Sequence, residues 1–488
     1  MRKLYKATII MGAATFVAMI TGLVRAKFLA VTLGPVGVGI FSQALTFFQS
    51  AETICGLGIG LGITKYAALA FSKKDYTGLK GIVSVSVALQ FVSFAVLFFI
   101  VLIFSGQISQ FLFSTTRFSR LLIVVTGGVL FSSVLVSFES VMLGMGRPDT
   151  FSKSRILYNL IGLALFVCLV YFMKLSGAFW YILVNSLISI SIVALFVAYL
   201  LKAETGKGIS EMIVRLKGLR LRYYAGKLIS YGVVMLVTSA VTWLSMLYVR
   251  SILIRNLGAE ANGFFQVIFA LVGAYAPFFT NGVWGYLFPK LSAVEKISDF
   301  NFEVNRGLRF IILFVTPAIA VLFLCGRALV LAIFSEEFLA SLGIFPLYLM
   351  GSLFYMLAYI FGSALLARKE LKAYLAVTVL QNALYIFIFA RLVGSLGLPA
   401  VAVSYCAMNI FAVIACILYQ VWRGGLRITG ANISLFCLSL AFASVIFFIP
   451  FGGTAAYAIK WAMVASWLAF VVGKREKALL FSFMRRGQ

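Results

Sequence analysis

The sequence predicts an all-α polytopic membrane protein of about 14 transmembrane helices, arranged as two parallel six-helix bundles plus two C-terminal helices. Three observations predict it. First, 63% of the 488 residues are hydrophobic before the 42 glycines are counted, whereas soluble domains reach about 45–50% with glycine included. Only 11% are charged, under half the usual share of about 25%, and the apolar residues form long blocks with short basic punctuation. Second, the basic residues alternate between rich and poor loops. Third, the first part of the chain recurs in the second.

Cutting the chain at its charged clusters gives fourteen candidate spans, beginning near residues 7, 37, 82, 120, 154, 177, 228, 262, 307, 329, 372, 397, 431 and 452. Arg2, Lys3 and Lys6 precede an apolar run from Ala7 to Val24. That pattern resembles a secretory signal, but a whole series of similar runs follows, so a retained first span is expected. Glu336 and Glu337 interrupt the tenth run, so its span is expected to begin near Ser341. The last two runs are parted only by the Pro450 to Gly453 turn.

With the N-terminus placed in the cytoplasm, cytoplasmic segments hold 31 of the 41 Lys and Arg residues, leaving 10 for outside loops and spans. This is the positive-inside asymmetry. It predicts an even number of spans and both termini in the cytoplasm. It also accounts for the net charge of +27 without nucleic acid as a partner.

The stretch VRAKFLAVTLGPVGVGIFSQ from Val24 recurs as VRSILIRNLGAEANGFFQ from Val249. Leu33-Gly34 matches Leu257-Gly258 at an offset of 224, and Gly39 with Gly263, Phe41 with Phe265 and Gly58 with Gly282 keep that offset. Each half holds six spans, an even number, so both begin on the same side of the membrane and the repeat is parallel. The expected division is an N-terminal bundle over 1–201, a cytoplasmic basic linker over 202–227, a C-terminal bundle over 228–420, and two further spans with a cytoplasmic tail over 421–488.

Several chemistries are excluded. Histidine is absent, so no histidine relay, histidine metal centre or Ser/His/Asp triad can form. The six cysteines are isolated in apolar runs and read as packing residues. There is no GxxxxGK[ST] motif, no metal-ligand spacing and no catalytic carboxylate pair, so neither enzyme chemistry nor a cofactor is expected.

Ionisable residues inside spans are the candidates, because burying one costs several kcal/mol unless it is paired or wetted. Glu52 falls near mid-depth of the second span and is the first candidate for ion coupling; Glu139 in the fourth is the second, with pairing to a basic residue as its alternative reading. Arg25 and Arg250 are candidate anion contacts. Lys27 sits about 200° around the helix from Arg25, so the two cannot face one cleft. Arg255 divides between the cavity rim and plain interface anchoring. Gln43, Asn159 and Asn281 are candidate sugar contacts, with Gln381 and Asn382 as further polar residues in spans, and helix–helix hydrogen bonding is the competing role.

The stretch from Gly34 to Ala68, GPVGVGIFSQALTFFQSAETICGLGIGLGITKYAA, and the stretch LGMGRPDTFSKSRILYNLIG from Leu143 resemble the Wzx-type flippases of lipid-linked oligosaccharides, in the multidrug/oligosaccharidyl-lipid/polysaccharide exporter superfamily. The resemblance implies a carrier for an undecaprenyl-diphosphate-linked O-antigen or polysaccharide repeat unit, moved from the cytoplasmic to the periplasmic leaflet by alternating access. It implies coupling to H+ or Na+ and a polysaccharide polymerase as a working partner, with Arg25, Glu52 and Arg250 as the positions carried over. A drug or metabolite antiporter of the same superfamily, a peptidoglycan lipid-precursor flippase and a membrane-embedded glycan polymerase are the competing readings.

Overall fold

In the computed structural model, residues 2–205, 221–448 and 454–472 are described. The linker core at 206–220, the Pro450 to Gly453 turn and the tail from Lys474 lie outside them. Among the described residues every regular element is helical. Ten helices are long and apolar enough to cross a membrane, with a shorter apolar helix at Tyr457–Val471.

Three of the ten are far too long for one crossing. These are α1 (Arg2–Gly56), α5 (Pro148–Thr205) and α6 (Leu221–Gly282). At 1.5 Å per residue each would exceed about 80 Å if straight, against a hydrocarbon core of about 30 Å. Each breaks once into two span-length parts: α1 at Gly34 (φ 62°, ψ −171°), α5 at Lys174 (φ 51°, ψ −131°) and α6 at Gly258 (φ 87°, ψ 168°). Counting the parts separately, with the shorter helix, gives the fourteen spans expected. The breaks fall a few residues before the expected starts at 37, 177 and 262. Periodicity marks where apolar runs begin, whereas a positive φ marks where the chain turns.

The chain gathers into two compact units. One is Met1–Gln266 with Ile333–Glu337; the other is Val267–Ala332 with Phe338–Gln488.

In the first unit, α2 (Gly60–Ser72), α3 (Tyr76–Phe113), α4 (Ser119–Gly144) and α5 surround a core of Ile59, Ile63, Leu79, Val85, Met142 and Val193. Its helices approach closely where glycine allows, the usual device of membrane bundles. A Cβ on Gly144 would lie 2.7 Å from the Thr64 carbonyl oxygen, and one on Gly232 would lie 2.7 Å from that of Leu57. The helix start at Tyr76 is capped by Asp75, whose Oδ1 accepts from the Gly78 amide at 2.8 Å.

The second unit contains α7 (Phe288–Ala293), α8 (Ile297–Leu324), α9 (Gly326–Ile333), whose last residue passes to the first unit, and α10 (Phe345–Ala367). It continues with α11 (Leu371–Leu396), α12 (Pro399–Gly424), α13 (Gly430–Phe448) and α14 (Thr454–Val472). The tenth span is preceded by a 3-10 turn, Glu336–Ile344, so its α-helix begins four residues after Ser341. The two extra C-terminal helices are integral to this unit. Thr316 and Ser439 hydroxyls meet at 2.6 Å, and the Trp467 indole donates to the Leu313 carbonyl at 3.1 Å, fastening α13 and α14 to α8.

Candidate functional site

The polar groups of the first unit fall into separate clusters. One centres on Arg250, which is 1% exposed. Its Nη1 donates to Ser42 Oγ at 2.9 Å and Asn262 Oδ1 at 3.0 Å, its Nη2 to Gln266 Oε1 at 2.6 Å, and its guanidinium lies 4.8 Å from the Phe265 ring centroid. Asn262 Nδ2 donates to the Gly39 carbonyl at 2.7 Å, and Gln43 Nε2 donates to Ser251 Oγ at 2.8 Å. Arg250 and Gln43, both expected at a substrate surface, are thus buried in a knot joining α1 to both parts of α6.

Arg25 is half-buried. Its Nη1 donates to the Tyr181 hydroxyl in α5 and its Nε to the Thr21 carbonyl at 3.3 Å. Lys27 turns elsewhere, donating to the Phe334 carbonyl, as the angle between the two side chains requires. The same short segment brings Glu337 beside the α1 break, where its Oε2 stands 3.2 Å from the Cβ position of Gly34.

The acidic candidates come from different helices, Glu52 from α1 and Glu139 from α4, and Ser132, the partner of Glu52, stands two turns before Glu139 on α4. Glu52 Oε1 accepts from Ser132 Oγ. Glu139 Oε1 accepts from Tyr158 Oη at 3.0 Å, and Arg155 Nε reaches the same carboxylate at 4.0 Å and Tyr158 Oη at 3.1 Å. The basic residue that reaches Glu139 is thus Arg155 of α5, where a loop residue is the alternative expectation. Arg155 stands one helical turn before Tyr158 on α5, a spacing that brings both side chains to the same carboxylate. Beside this row, Gln90 Nε2 donates to Ser137 Oγ at 2.8 Å, while its buried Oε1 lacks a hydrogen-bond partner among the described residues.

The remaining candidates are dispersed. Asn159 Nδ2 donates to the Arg155 carbonyl at 2.7 Å within its own helix. Arg255 is exposed, 5.8 Å from the Phe111 ring centroid, on the wall of a cleft of about 810 Å3. Asn281 is exposed in the second unit. Among the described residues no group of three His, Cys, Asp or Glu could hold a metal.

The comparisons agree on the kind of protein. A family model described as Polysaccharide biosynthesis protein matches residues 4–295. A "Lipid III flippase" of Escherichia coli is 26% identical over 425 residues, covering 86% of this chain and 99% of that protein. Among solved structures, "Lipid II flippase MurJ, inward closed conformation" superposes with a TM-score of 0.73 at 15% identity, covering 97% of this chain and 100% of the other. An inward-facing multidrug resistance MATE family transporter of the MOP superfamily gives 0.60 at 14%, over 87% and 96%. These likenesses show the fold to be that of MOP-superfamily carriers.

Proposed function

This chain belongs to the polysaccharide biosynthesis protein family, and we propose that it is a flippase for a lipid-linked glycan precursor, acting at the inner membrane by alternating access. The observation that carries the reading is the match along 99% of the length of a flippase, in a chain of fourteen span-length helices. The relatives are carriers, and this chain is read as a carrier rather than an enzyme.

The cargo readings are not equally supported. The two flippases compared are named for lipid III and lipid II, which fits a peptidoglycan lipid precursor better than an O-antigen repeat unit. The repeat-unit reading retains support from the family description.

Arg25 is the cation we assign to the diphosphate, since it is half-buried and its side-chain partner is one phenol that a stronger acceptor can displace. Lys27, tied to the Phe334 carbonyl, is assigned to closing that end of α1. Glu52 is assigned to ion coupling, by H+ or Na+, through the Ser132 contact. Arg250 and Gln43 are assigned to holding α1 against α6. Arg255 stands apart from these groups, on the wall of the cleft beside Phe111. Asn159 and Asn281 receive no part.

The experiment is deletion of the gene in its host, with polyprenyl-linked intermediates extracted and their leaflet determined. Accumulation of one diphosphate-linked glycan on the cytoplasmic leaflet, reversed by the intact gene, supports the reading and identifies the cargo. Normal lipid intermediates together with sensitivity to cationic dyes would replace it with drug antiport, the function of the MATE relatives.

A further inference from the structure

The cleft beside Arg255 lies apart from the clusters assigned above. Its volume of about 810 Å3 falls within the 300–1,000 Å3 typical of small-molecule sites. It is lined by Gln107, Gln110, Phe111, Ser114, Thr116 and Arg255. The first three stand on the last turns of α3, beyond a non-helical residue at Phe104 (φ −104°, ψ 16°). Ser114 ends that helix in the left-handed region (φ 58°), and its amide donates back to the Gln110 carbonyl at 3.0 Å. Ser109 Oγ then holds the Thr115 carbonyl at 2.6 Å, which fixes the loop carrying the two hydroxyls.

The chemistry of the lining is specific. Gln107 and Gln110 are three residues apart, so their amides share one face of α3. With Ser114 and Thr116 they offer several neutral donors and acceptors and one positive charge. Phe111 is 38% exposed and its ring lies 5.8 Å from that of Tyr248, itself 39% exposed. The diphosphate is assigned to Arg25, and an apolar ligand would leave the amides here unpaired. Sugar rings match both needs, with hydroxyls for the amides and a C–H face for the Phe111 ring.

The cleft is also braced from behind. Gln43 Nε2 reaches the Leu112 carbonyl on α3 at 3.3 Å as well as Ser251 on α6, so one buried amide spans the two helices that supply the walls.

We propose that this cleft is a sugar-binding subsite that takes the glycan part of the cargo at the α3–α6 end of the first unit. The identity of that glycan rests on the flippase reading above; the sugar chemistry rests on the lining. Arg255 pairs with an acidic substituent of the sugar or with the nearer phosphate, and Gln43 is a positioning residue.

The test uses full-length protein with its native cysteines replaced and a single Gln107→Cys, reconstituted in vesicles of the host's phospholipids. The rate of maleimide labelling is read with added undecaprenyl-diphosphate-linked oligosaccharide extracted from the host, or with undecaprenyl diphosphate alone. Transport of the glycolipid by the unmodified protein is followed in parallel. The proposal expects slower labelling with the glycolipid only, and an apparent affinity for protection that falls about five- to thirty-fold when Gln110→Ala and Ser114→Ala are added.

Transport without protection, or equal protection by the sugarless lipid, overturns the subsite and leaves the flippase reading standing. Absence of transport overturns the flippase reading, and the soluble oligosaccharide released from the lipid by mild acid then serves as the probe. Slower labelling by that sugar sustains the subsite, and unchanged labelling ends it.

Discussion

Gly39 and Gly263, separated by 224 positions in the chain, meet reciprocally where α1 crosses α6. A Cβ on Gly39 would stand 1.8 Å from the carbonyl oxygen of Ala259, and one on Gly263 would stand 2.1 Å from that of Pro35. Ala259 follows Pro35 by the same 224, and the breaks at Gly34 and Gly258 directly precede them. The repeated sequence therefore meets its own copy in register.

Substituting alanine at either glycine is expected to lower the apparent melting temperature in detergent by several degrees, because backbone rather than a movable side chain blocks the methyl group. Overpacking of this kind costs about 1–3 kcal/mol. Gly12→Ala, with nothing within 4 Å of its Cβ position, is the control. A Gly39→Ala protein as stable as the control would contradict the close crossing.

Arg25 and Arg250 are expected to fail differently. Arg250→Ala takes the guanidinium from Ser42, Asn262 and the half-buried Gln266; Ser42 keeps the Asn262 amide, but the buried Asn262 Oδ1 loses this donor at about 1–3 kcal/mol, so the level of folded protein falls. Arg25→Ala removes a half-buried side chain with one side-chain partner, so protein level holds while transport falls at least about tenfold, the worth of one charge-assisted hydrogen bond. Membrane-fraction immunoblots beside a flipping assay separate the two outcomes.

Glu52→Gln keeps an acceptor for Ser132 but removes the charge. Transport driven by an imposed proton or sodium gradient should lose its dependence on that gradient, with the protein intact. Unchanged dependence would remove Glu52 from the coupling role.

Tyr158→Phe deletes the hydroxyl that donates to Glu139 and accepts from Arg155. The expected loss of stability is about 1–2 kcal/mol. A double-mutant cycle with Glu139→Gln should show non-additivity, since both changes cut one network.

The orientation has its own check. In a cysteine-free background, Ser114→Cys should react with an impermeant thiol reagent in intact cells, and Asp149→Cys only after permeabilisation. The reverse pattern would turn the assignment of both ends of the chain over.

Span number and the α1–α6 correspondence were legible because burial periodicity, basic punctuation and repeated glycines are all written locally. Less was legible at the candidate sites. Arg250 and Glu52 are both visible as intramembrane charges, but nothing in their own segments tells that one donates to Ser42, Asn262 and Gln266 and the other rests on Ser132. Those partners lie on helices far away in sequence, and side chains two turns apart can face a cleft or a neighbour with equal periodicity. Tyr181, the partner of Arg25, sits in an aromatic-rich run that reads as packing. Gln107 and Gln110 were passed over because amides near a span end carry no charge to mark them.

The compact unit that ends at Gln266 recovers Ile333–Glu337 from much further along the chain. Cutting the gene in the linker region would thus leave the second unit whole on the late polypeptide and divide the first between the two. The early fragment lacks α6 and the segment that meets Lys27 and Gly34, and the late fragment carries both without their mates. The borders of the compact units and the borders of the sequence repeat therefore do not coincide, and the first unit is complete only when both pieces are present.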